Sequence, residues 1–194
     1  MHLVPSTSYR RMPWKNGGGE TIEIIASPEG STLDTFDWRV SMAKVASSGP
    51  FSLFPEIDRT LAVLDGNGIR LSIAGRGEVL VGLGTAPVSF PGDVPVDAGL
   101  VDGSIMDLNV MTRRGRYGHA MTRMADTGEF GVTCRGDITL MLVTGSGATA
   151  YGAGTTIEAE DSDTIIVSKT AGAELVHISS RGVLELYIID IWRA

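Results

Sequence analysis

Short segments in which apolar and polar residues alternate dominate the chain, and turns that contain glycine separate them. Alternation with a period of two is typical of half-buried β-strands, and 25 glycines suit tight turns better than helices. The sequence therefore predicts an all-β protein, in which residues 117–129 are the best candidate for a helical turn or a loop. The predicted strands are residues 21–26, 37–45, 60–64, 69–73, 79–83, 105–111, 138–143, 164–168, 175–179 and 183–191.

The glycine-containing turns also indicate an internal repeat. Gly66 and Gly145 are 79 residues apart (145 − 66), each lies in a Gly-x-Gly turn after an apolar run, and the same offset relates two further glycine pairs. A duplicated barrel or sandwich unit of about 80 residues explains this order, and a chance coincidence among many glycines is the alternative. The predicted division is an N-terminal barrel with added N-terminal strands over residues 1–115 and a C-terminal barrel over residues 116–194, packed as one compact unit.

Three consecutive glycines at 17–19 directly follow an aromatic ring, a cation and an amide, those of Trp14, Lys15 and Asn16. Glycine lets other groups approach the backbone closely, so this segment is a candidate binding surface. It is not a phosphate-binding loop of the Walker type, because no Gly-Lys-Ser or Gly-Lys-Thr closes it and a predicted strand follows. A flexible turn into the first predicted strand is the alternative that these residues leave open.

Six short motifs together resemble the HutD/Ves family. They are Met-Pro-Trp-Lys-Asn-Gly-Gly-Gly at 12–19, Phe-Asp-Trp-Arg-Val-Ser-Met-Ala at 36–43, Gly-Pro-Phe-Ser at 49–52, Asp-Arg-Thr-Leu at 58–61, Phe-Pro-Gly-Asp at 90–93 and Asp-Leu-Asn-Val-Met-Thr-Arg-Arg at 107–114. The resemblance implies a cupin-like β-barrel duplicated in one chain, a bicupin. It also implies a bacterial, cytoplasmic protein linked to histidine utilisation, with a small-molecule-binding or regulatory role rather than a proven enzymatic one.

Arg59 is the expected anchor of a bound anion. It begins a predicted strand and shares a face with the apolar residues Leu61 and Val63, which places its charge at the rim of an apolar surface. A guanidinium presents a planar fork of donors that fits a carboxylate. From the residues alone an ion pair with the adjacent Asp58 or with another acidic residue is the commoner outcome, and the family resemblance favours the ligand.

A second polar position lies on the predicted strand at 105–111. Period two places Asp107 and Asn109 on one face of this strand and an apolar series on the other. The polar pair therefore faces either a cavity or solvent. The predicted ligand-binding residues are Arg59, Lys15, Asn16, Asn109, Asp107 and Trp14, with Phe51 and Phe54 as further apolar walls.

The resemblance suggests an anionic intermediate of histidine breakdown as the ligand, of the urocanate, N-formyl-glutamate or N-formimino-glutamate type. The alternative is a metal-free hydrolase or isomerase that acts on such a metabolite, with Asp107 or Glu20 as general base. The sequence contains no Gly-x-Ser-x-Gly nucleophile elbow and no evident nucleophile–base pair, which favours the binding protein. No catalytic residue is therefore assigned.

Neither a metal nor another cofactor is expected. The three histidines, His2, His119 and His177, are scattered, and none belongs to a His-x-His pair. Transition-metal sites use two or three clustered imidazoles or thiolates. The single cysteine, Cys134, is expected to serve packing. We predict that elemental analysis finds no transition-metal ion bound stoichiometrically.

The net charge of −7 argues against nucleic acid or an anionic membrane as a partner. Arg113, Arg114 and Arg116 form the only basic cluster and are expected to lie in a linker, whereas Arg39 is expected to form an interstrand ion pair. No apolar run reaches the roughly 18 residues that span a bilayer, and the first residues lack a signal-peptide pattern. One cysteine excludes an internal disulfide, which favours the cytoplasm. A homodimer that covers exposed strand edges is a further expectation.

Overall fold

The computed structural model describes residues 1–14, 17–152, 154–168 and 174–194, and the all-β prediction is confirmed. Within these residues one 3₁₀ turn, Ser6–Ser8, accompanies seventeen strands, and no helix is long and apolar enough to cross a membrane. The strands are β1 (His2–Val4), β2 (Arg10–Pro13), β3 (Gly19–Ser27), β4 (Trp38–Val45), β5 (Gly49–Pro50), β6 (Ile57–Asp65), β7 (Ile69–Ile73), β8 (Gly77–Val81), β9 (Val88–Pro91), β10 (Val96–Leu100), β11 (Ile105–Arg113), β12 (Tyr117–Cys134), β13 (Ile138–Gly145), β14 (Ala148–Gly152), β15 (Thr155–Ala159), β16 (Thr164–Ser168) and β17 (Glu174–Arg193).

The prediction of a helical turn or loop at residues 117–129 is wrong. These residues form most of β12, which pairs with β17. Most side chains in the middle of β12 are exposed, so that no apolar period marked the strand, and pairing with a distant partner decides its conformation. The two predicted strands at 175–179 and 183–191 are parts of the single strand β17.

The chain divides into two compact units. The N-terminal unit comprises Arg10–Gly118 together with Ala194, and the C-terminal unit comprises Met1–Tyr9 together with His119–Arg193. The predicted division assigned the first nine residues to the N-terminal barrel, and the structure differs because β1 pairs with β16. The Tyr9 hydroxyl also lies 2.7 Å from the Thr164 hydroxyl.

In the N-terminal unit, two antiparallel sheets share one apolar interior. The six-stranded sheet has the order β2-β3-β4-β11-β6-β9, and the four-stranded sheet has the order β5-β10-β7-β8. Alternate residues of each strand point inward, as the period of a β-strand requires. The buried apolar residues of this interior are Val45, Leu61, Val63, Ile69, Leu71, Ile73, Val81, Val88, Phe90, Val96, Ala98 and Ile105.

The C-terminal unit is built on one sheet of the order β1-β16-β13-β17-β14-β15, to which β12 is added through β17. Its interior is formed by apolar residues of these strands, and Cys134 is packed among them, as predicted. The buried residues are Val132, Cys134, Met141, Val143, Ala148, Ala150, Ile157, Ala159, Ile165, Val167, Val176, Ile178, Leu184, Leu186 and Ile188.

The two Gly-x-Gly turns occupy the same place in the strand order of their units. Gly66 leads from β6 to β7 and Gly145 leads from β13 to β14, with φ angles of +93° and +86°. A Cβ atom on Gly66 would lie 2.6 Å from the carbonyl oxygen of Ser104, and one on Gly145 would lie 3.0 Å from that of Val183. These two carbonyls are again 79 residues apart (183 − 104). The shared order is what a repeat requires, and a duplication stays a prediction.

Candidate ligand-binding site

Polar side chains lie on the interior face of the N-terminal unit, where β4, β11 and β6 are neighbours. Directly paired residues of antiparallel strands point to the same face of a sheet. Asp107 on β11 lies between Ala43 and Val63, and the next inward position, Asn109, lies between Ser41 and Leu61. Because Leu61 and Val63 belong to the apolar interior, both polar side chains of β11 face it as well.

The third rung of this face brings two arginines together around one strand. Met111 of β11 pairs with Arg39 of β4 on one side and with Arg59 of β6 on the other. Arg59 begins the inward series of β6, and it is only 7% exposed. The predicted site residues Arg59, Asp107 and Asn109 therefore occupy three consecutive rungs of one interior face.

Three phenylalanine rings surround the Arg59 guanidinium. Its central carbon lies 5.0 Å from the ring centre of Phe51, 5.6 Å from that of Phe54 and 5.2 Å from that of Phe90. Rings at this distance attract a cation through their negative faces. Burial lowers the pKa of Arg59 from its ordinary value to about 10, the charge of Asp107 opposes this shift, and the charge of Arg39 adds to it. Arg59 Nε has no hydrogen-bond partner among the described residues.

Asp107 and Asn109 are buried with oxygen atoms that accept no hydrogen bond. Asp107 is 3% and Asn109 is 9% exposed, and Oδ1 of each lacks a partner in the described part of the chain. Burial raises the pKa of Asp107 to about 7, although the charge of Arg59 and a hydrogen bond from the backbone of Ala43 oppose the increase. A buried polar atom without a partner loses its hydrogen bonds to water and gains none within the protein. Such atoms are therefore rare in folded proteins.

Arg39 differs from Arg59 because its charge is neutralised within the sheet. Its Nε donates to Glu23 Oε2 of β3 at 2.6 Å, and both side chains are largely buried. The predicted interstrand ion pair of Arg39 is confirmed. Its partner could not be read from the sequence, because a bulge between Glu23 and Ile25 sets the register of β3 against β4.

Trp14 lies on the same apolar interior at the start of the glycine-rich segment. Its Nε1 donates to Thr21 Oγ1 at 2.8 Å, and its ring packs partly buried against the interior cluster. A Cβ atom on Gly19 would lie 3.0 Å from the Trp14 ring and would overlap the carbonyl oxygen of Lys44, so glycine is required there. The predicted site residues Lys15 and Asn16 lie outside the described residues.

Sequence reasoning found three interior polar residues and missed others. Ser41 and Glu23 share the face, and Phe90 completes the ring cluster around Arg59. The apolar residues Val88 and Phe90 alternate with the polar Ser89, a pattern typical of a half-buried strand. This pattern could have identified Phe90 as an interior residue. Glu20, the other candidate general base, forms an ion pair with exposed Arg11 at 3.0 Å.

The basic cluster is occupied by contacts within the N-terminal unit. Arg114 pairs with Asp58 at 2.7 Å and with Asp93 at 2.9 Å. Arg116 pairs with Asp37, and Arg113 Nη2 donates to the carbonyl oxygen of Phe36 at 3.0 Å. Asp58 therefore pairs with Arg114 and not with its neighbour Arg59. The Arg59 guanidinium in the interior of the N-terminal unit is thus not neutralised by Asp58.

An open groove of about 400 Å³ lies elsewhere, along the outer face of the four-stranded sheet. Its two long charged side chains, Arg70 and Glu78, are paired at 2.8 Å, and each is more than half exposed. The groove thus offers a solvated ion pair, whereas the interior offers buried groups without partners. The lining residues are Ser48, Gly49, Arg70, Ser72, Glu78, Asp97, Ala98 and Gly99.

No three His, Cys, Asp or Glu side chains gather closely enough to hold a metal ion within residues 1–14, 17–152, 154–168 and 174–194. His2 and His177 lie exposed on strands, and the His177 ring stacks on Tyr151 with 5.6 Å between ring centres.

Comparisons with known proteins assign the chain to one family. A family model described as HutD matches residues 6–184. An uncharacterized 21.2 kDa protein in the hutC 3′ region of Pseudomonas putida is 39% identical over 117 residues, which are 60% of each chain. Protein Ves of Cronobacter sakazakii is 40% identical over 122 residues, 60% of this chain and 64% of that protein. The matched stretch thus spans less than two thirds of these curated relatives.

Solved structures match over nearly the whole chain. A conserved protein of unknown function from Pseudomonas aeruginosa PAO1 is 27% identical with a TM-score of 0.91, over 98% of this chain and 97% of that one. HutD from Pseudomonas fluorescens SBW25 is 26% identical with a TM-score of 0.81, over 100% and 98%. A cupin 2 conserved barrel domain protein from Leptotrichia buccalis, 11% identical over 88% of each chain with a TM-score of 0.55, shows the cupin-like fold alone.

Proposed function

The chain belongs to the HutD family, and from this premise we propose that it is a binding or regulatory protein of histidine utilisation that holds a small anionic metabolite inside its N-terminal unit. One observation carries the proposal. Arg59 Nε, Asp107 Oδ1 and Asn109 Oδ1 are buried on one interior face without partners among the described residues. A ligand that satisfies all three would remove the cost of leaving them unpaired.

The chemistry of these atoms defines what the ligand must present. Arg59 donates and carries a positive charge, so it suits a carboxylate, while the oxygens of Asp107 and Asn109 suit N–H or O–H donors. Urocanate carries a carboxylate and an imidazole N–H. N-formyl-glutamate and N-formimino-glutamate carry carboxylates and an N–H. The phenylalanine rings around Arg59 and the ring of Trp14 supply apolar walls for any of them. Lys15 and Asn16 remain proposed as a second cation and an amide.

A metal-free hydrolase or isomerase on such a metabolite is the second candidate. The observation that favours it is the pKa of Asp107, which burial raises to about 7, the range in which a carboxyl group exchanges protons at neutral pH. The described interior holds no paired nucleophile beside this carboxyl group. We therefore place binding first and catalysis second.

A ligand screen separates the two candidates. We expect urocanate, N-formyl-glutamate or N-formimino-glutamate to raise the melting temperature, because a ligand that binds only the folded state stabilises it. Ultraviolet absorbance and mass of the incubated metabolite report turnover in the same samples. Stabilisation without turnover supports a binding protein, and turnover supports the enzyme.

Titration calorimetry of Arg59 variants then tests the site itself. Removing a hydrogen bond to a charged group costs about 1.5–3 kcal/mol, so Arg59→Ala should weaken binding of the best screened metabolite about 10- to 150-fold. Arg59→Lys should recover part of this loss, because an ammonium keeps the charge and loses the planar fork. Arg114→Ala, which removes an exposed and already paired cation, is the control and should bind normally. Unchanged affinity in a cooperatively folded Arg59→Ala would make Arg59 a structural residue.

A further inference from the structure

The interior face described above carries four charged side chains among its described residues, Glu23, Arg39, Arg59 and Asp107, and the buried Asp37 that precedes β4 pairs with Arg116. Glu23 and Arg39 form a closed ion pair. Arg59 and Asp107 are the other two opposite charges of this face; they lie two rungs apart, and no ion pair between them is present among the described residues. With Arg59 and Asp107 both charged and no anion bound, these four side chains therefore carry no net charge.

Resting on the proposed function, we infer that binding of a carboxylate at Arg59 is coupled to the uptake of one proton by Asp107. A bound carboxylate would share Arg59 with the Asp107 carboxylate, which leaves one negative charge without a counter-charge in a buried space. Two carboxylates that share one site raise the pKa of one of them strongly. A proton on Asp107 restores neutrality, and its O–H then donates to the ligand or to Asn109 Oδ1.

The surroundings of Asp107 provide no other way to balance the charge within the described residues. The residues that pair with it on β4 and β6, Ala43 and Val63, are apolar. The four-stranded sheet contributes apolar residues such as Leu71 to the same interior. Arg39 is held by Glu23, so Arg59 is the remaining cation at the described positions of this interior face; Lys15 lies outside the described residues. Burial already raises the pKa of Asp107 to about 7 against the opposing charge of Arg59, so a further rise of modest size protonates it at neutral pH.

Calorimetric titration in buffers of different ionisation enthalpy measures the proton uptake directly. The probe is N-formyl-L-glutamate, whose carboxylates stay ionised between about pH 6 and 9 and therefore do not contribute protons of their own. With the free carboxyl near pH 7 and a bound one well above it, we expect about 0.5 proton per ligand at pH 7 and about 0.9 at pH 8. The dissociation constant should rise about tenfold from pH 6 to pH 8.

Asp107→Asn keeps the shape of the side chain and cannot take up a proton. We expect this variant to bind the probe with the same affinity at pH 6 and pH 8 and with no proton uptake. Glu20→Gln, which removes a carboxylate that β3 holds in an ion pair with Arg11, is the matched control and should keep the full pH dependence. If Asp107→Asn does not fold, the buffer series on the unmodified protein still shows whether binding takes up a proton.

The outcomes distinguish this inference from the function on which it rests. Binding with no proton uptake at any pH from 7 to 8, or an unchanged pH dependence in Asp107→Asn, overturns the coupling and leaves the binding function in place. Absence of any heat or melting-temperature shift with N-formyl-L-glutamate, urocanate and N-formimino-glutamate overturns the binding function itself, and the coupling with it.

Discussion

The interiors of the two units differ at rungs that correspond in strand order. In the N-terminal unit, Asp107 pairs with Val63 and Asn109 pairs with Leu61. The corresponding pairs of the C-terminal unit join Leu186 to Val143 and Ile188 to Met141, all of them apolar. At the third rung, Arg59 beside Met111 has its counterpart in Thr139 beside Asp190.

The buried polar groups of the C-terminal unit are satisfied by their own unit. Asp190 Oδ1 accepts from the backbone amides of Arg135 at 2.9 Å and Gly136 at 3.0 Å, and from Thr139 Oγ1 at 2.5 Å. Asp163 accepts from the amide of Ser6 at 2.7 Å. Buried polarity therefore does not by itself indicate a site in this protein. The distinguishing property is a buried side-chain atom without a hydrogen-bond partner; among the described residues three of the four such atoms lie together on the N-terminal interior face, and the fourth, Ser31 Oγ, lies in the connection between β3 and β4.

The largest effect is expected from placing a carboxylate in the apolar interior. Leu186→Asp introduces at a fully buried position the side chain that Asp107 has in the other unit. The described residues of this interior are apolar and offer no charged partner, so the free energy of unfolding should fall by about 3–5 kcal/mol. Urea unfolding followed by circular dichroism measures the loss. Val183→Asp, at a position 66% exposed, is the control and should stay within about 0.5 kcal/mol. A loss as small as that of the control would mean that the two interiors tolerate charge alike.

The reverse exchange should stabilise the protein and remove its binding. In the double variant Arg59→Met, Asp107→Leu, apolar residues replace a buried pair of opposite charges. Such replacements are often neutral or stabilising by about 1–4 kcal/mol, so we expect a higher unfolding midpoint in urea together with no detectable binding of N-formyl-L-glutamate. A destabilised double variant would show that these charges serve the fold.

The stability of the ligand-free protein should depend on pH through Asp107. Its pKa is raised to about 7 in the folded state, above the ordinary value of 3.8, so the folded state binds more protons between these values. Stability attributable to Asp107 is then greatest at low pH and falls as the pH rises from about 4 to about 7, by at most about 1.4 kcal/mol per pH unit. The difference in unfolding free energy between the unmodified protein and Asp107→Asn isolates this carboxyl group. A difference independent of pH would contradict the raised pKa.

The smallest effect is expected at the outer groove of the N-terminal unit. Arg70→Ala breaks an exposed ion pair with Glu78, and such pairs contribute between 0 and about 1 kcal/mol. We expect unfolding free energy to change by less than this and the affinity for N-formyl-L-glutamate to stay the same in calorimetry. Loss of affinity in Arg70→Ala with normal affinity in Arg59→Ala would move the site from the interior to the groove.

Local pattern was sufficient for much of the fold and for one feature of the site. Period two placed Asp107 and Asn109 on the same face, and β11 has that arrangement. The pairing of strands was not readable, because it depends on residues far apart in the chain and on a register shift between Met106 and Asp107. For this reason the sequence identified Arg59 as a candidate without revealing that three phenylalanine rings surround it, and it associated the first nine residues with the wrong neighbours.

The position of those first nine residues has a consequence for the order in which the protein is made. β1 pairs with residues of β16, Val4 with Thr164 and His2 with Ile166. The ribosome therefore completes all of Arg10–Gly118 before the partner of its first strand exists. Domains generally fold as units during synthesis, so the N-terminal unit can fold while β1 is still without its partner strand. β1 is thus synthesised well before its partner β16, and during that interval its unpaired edge is open to wrong pairing.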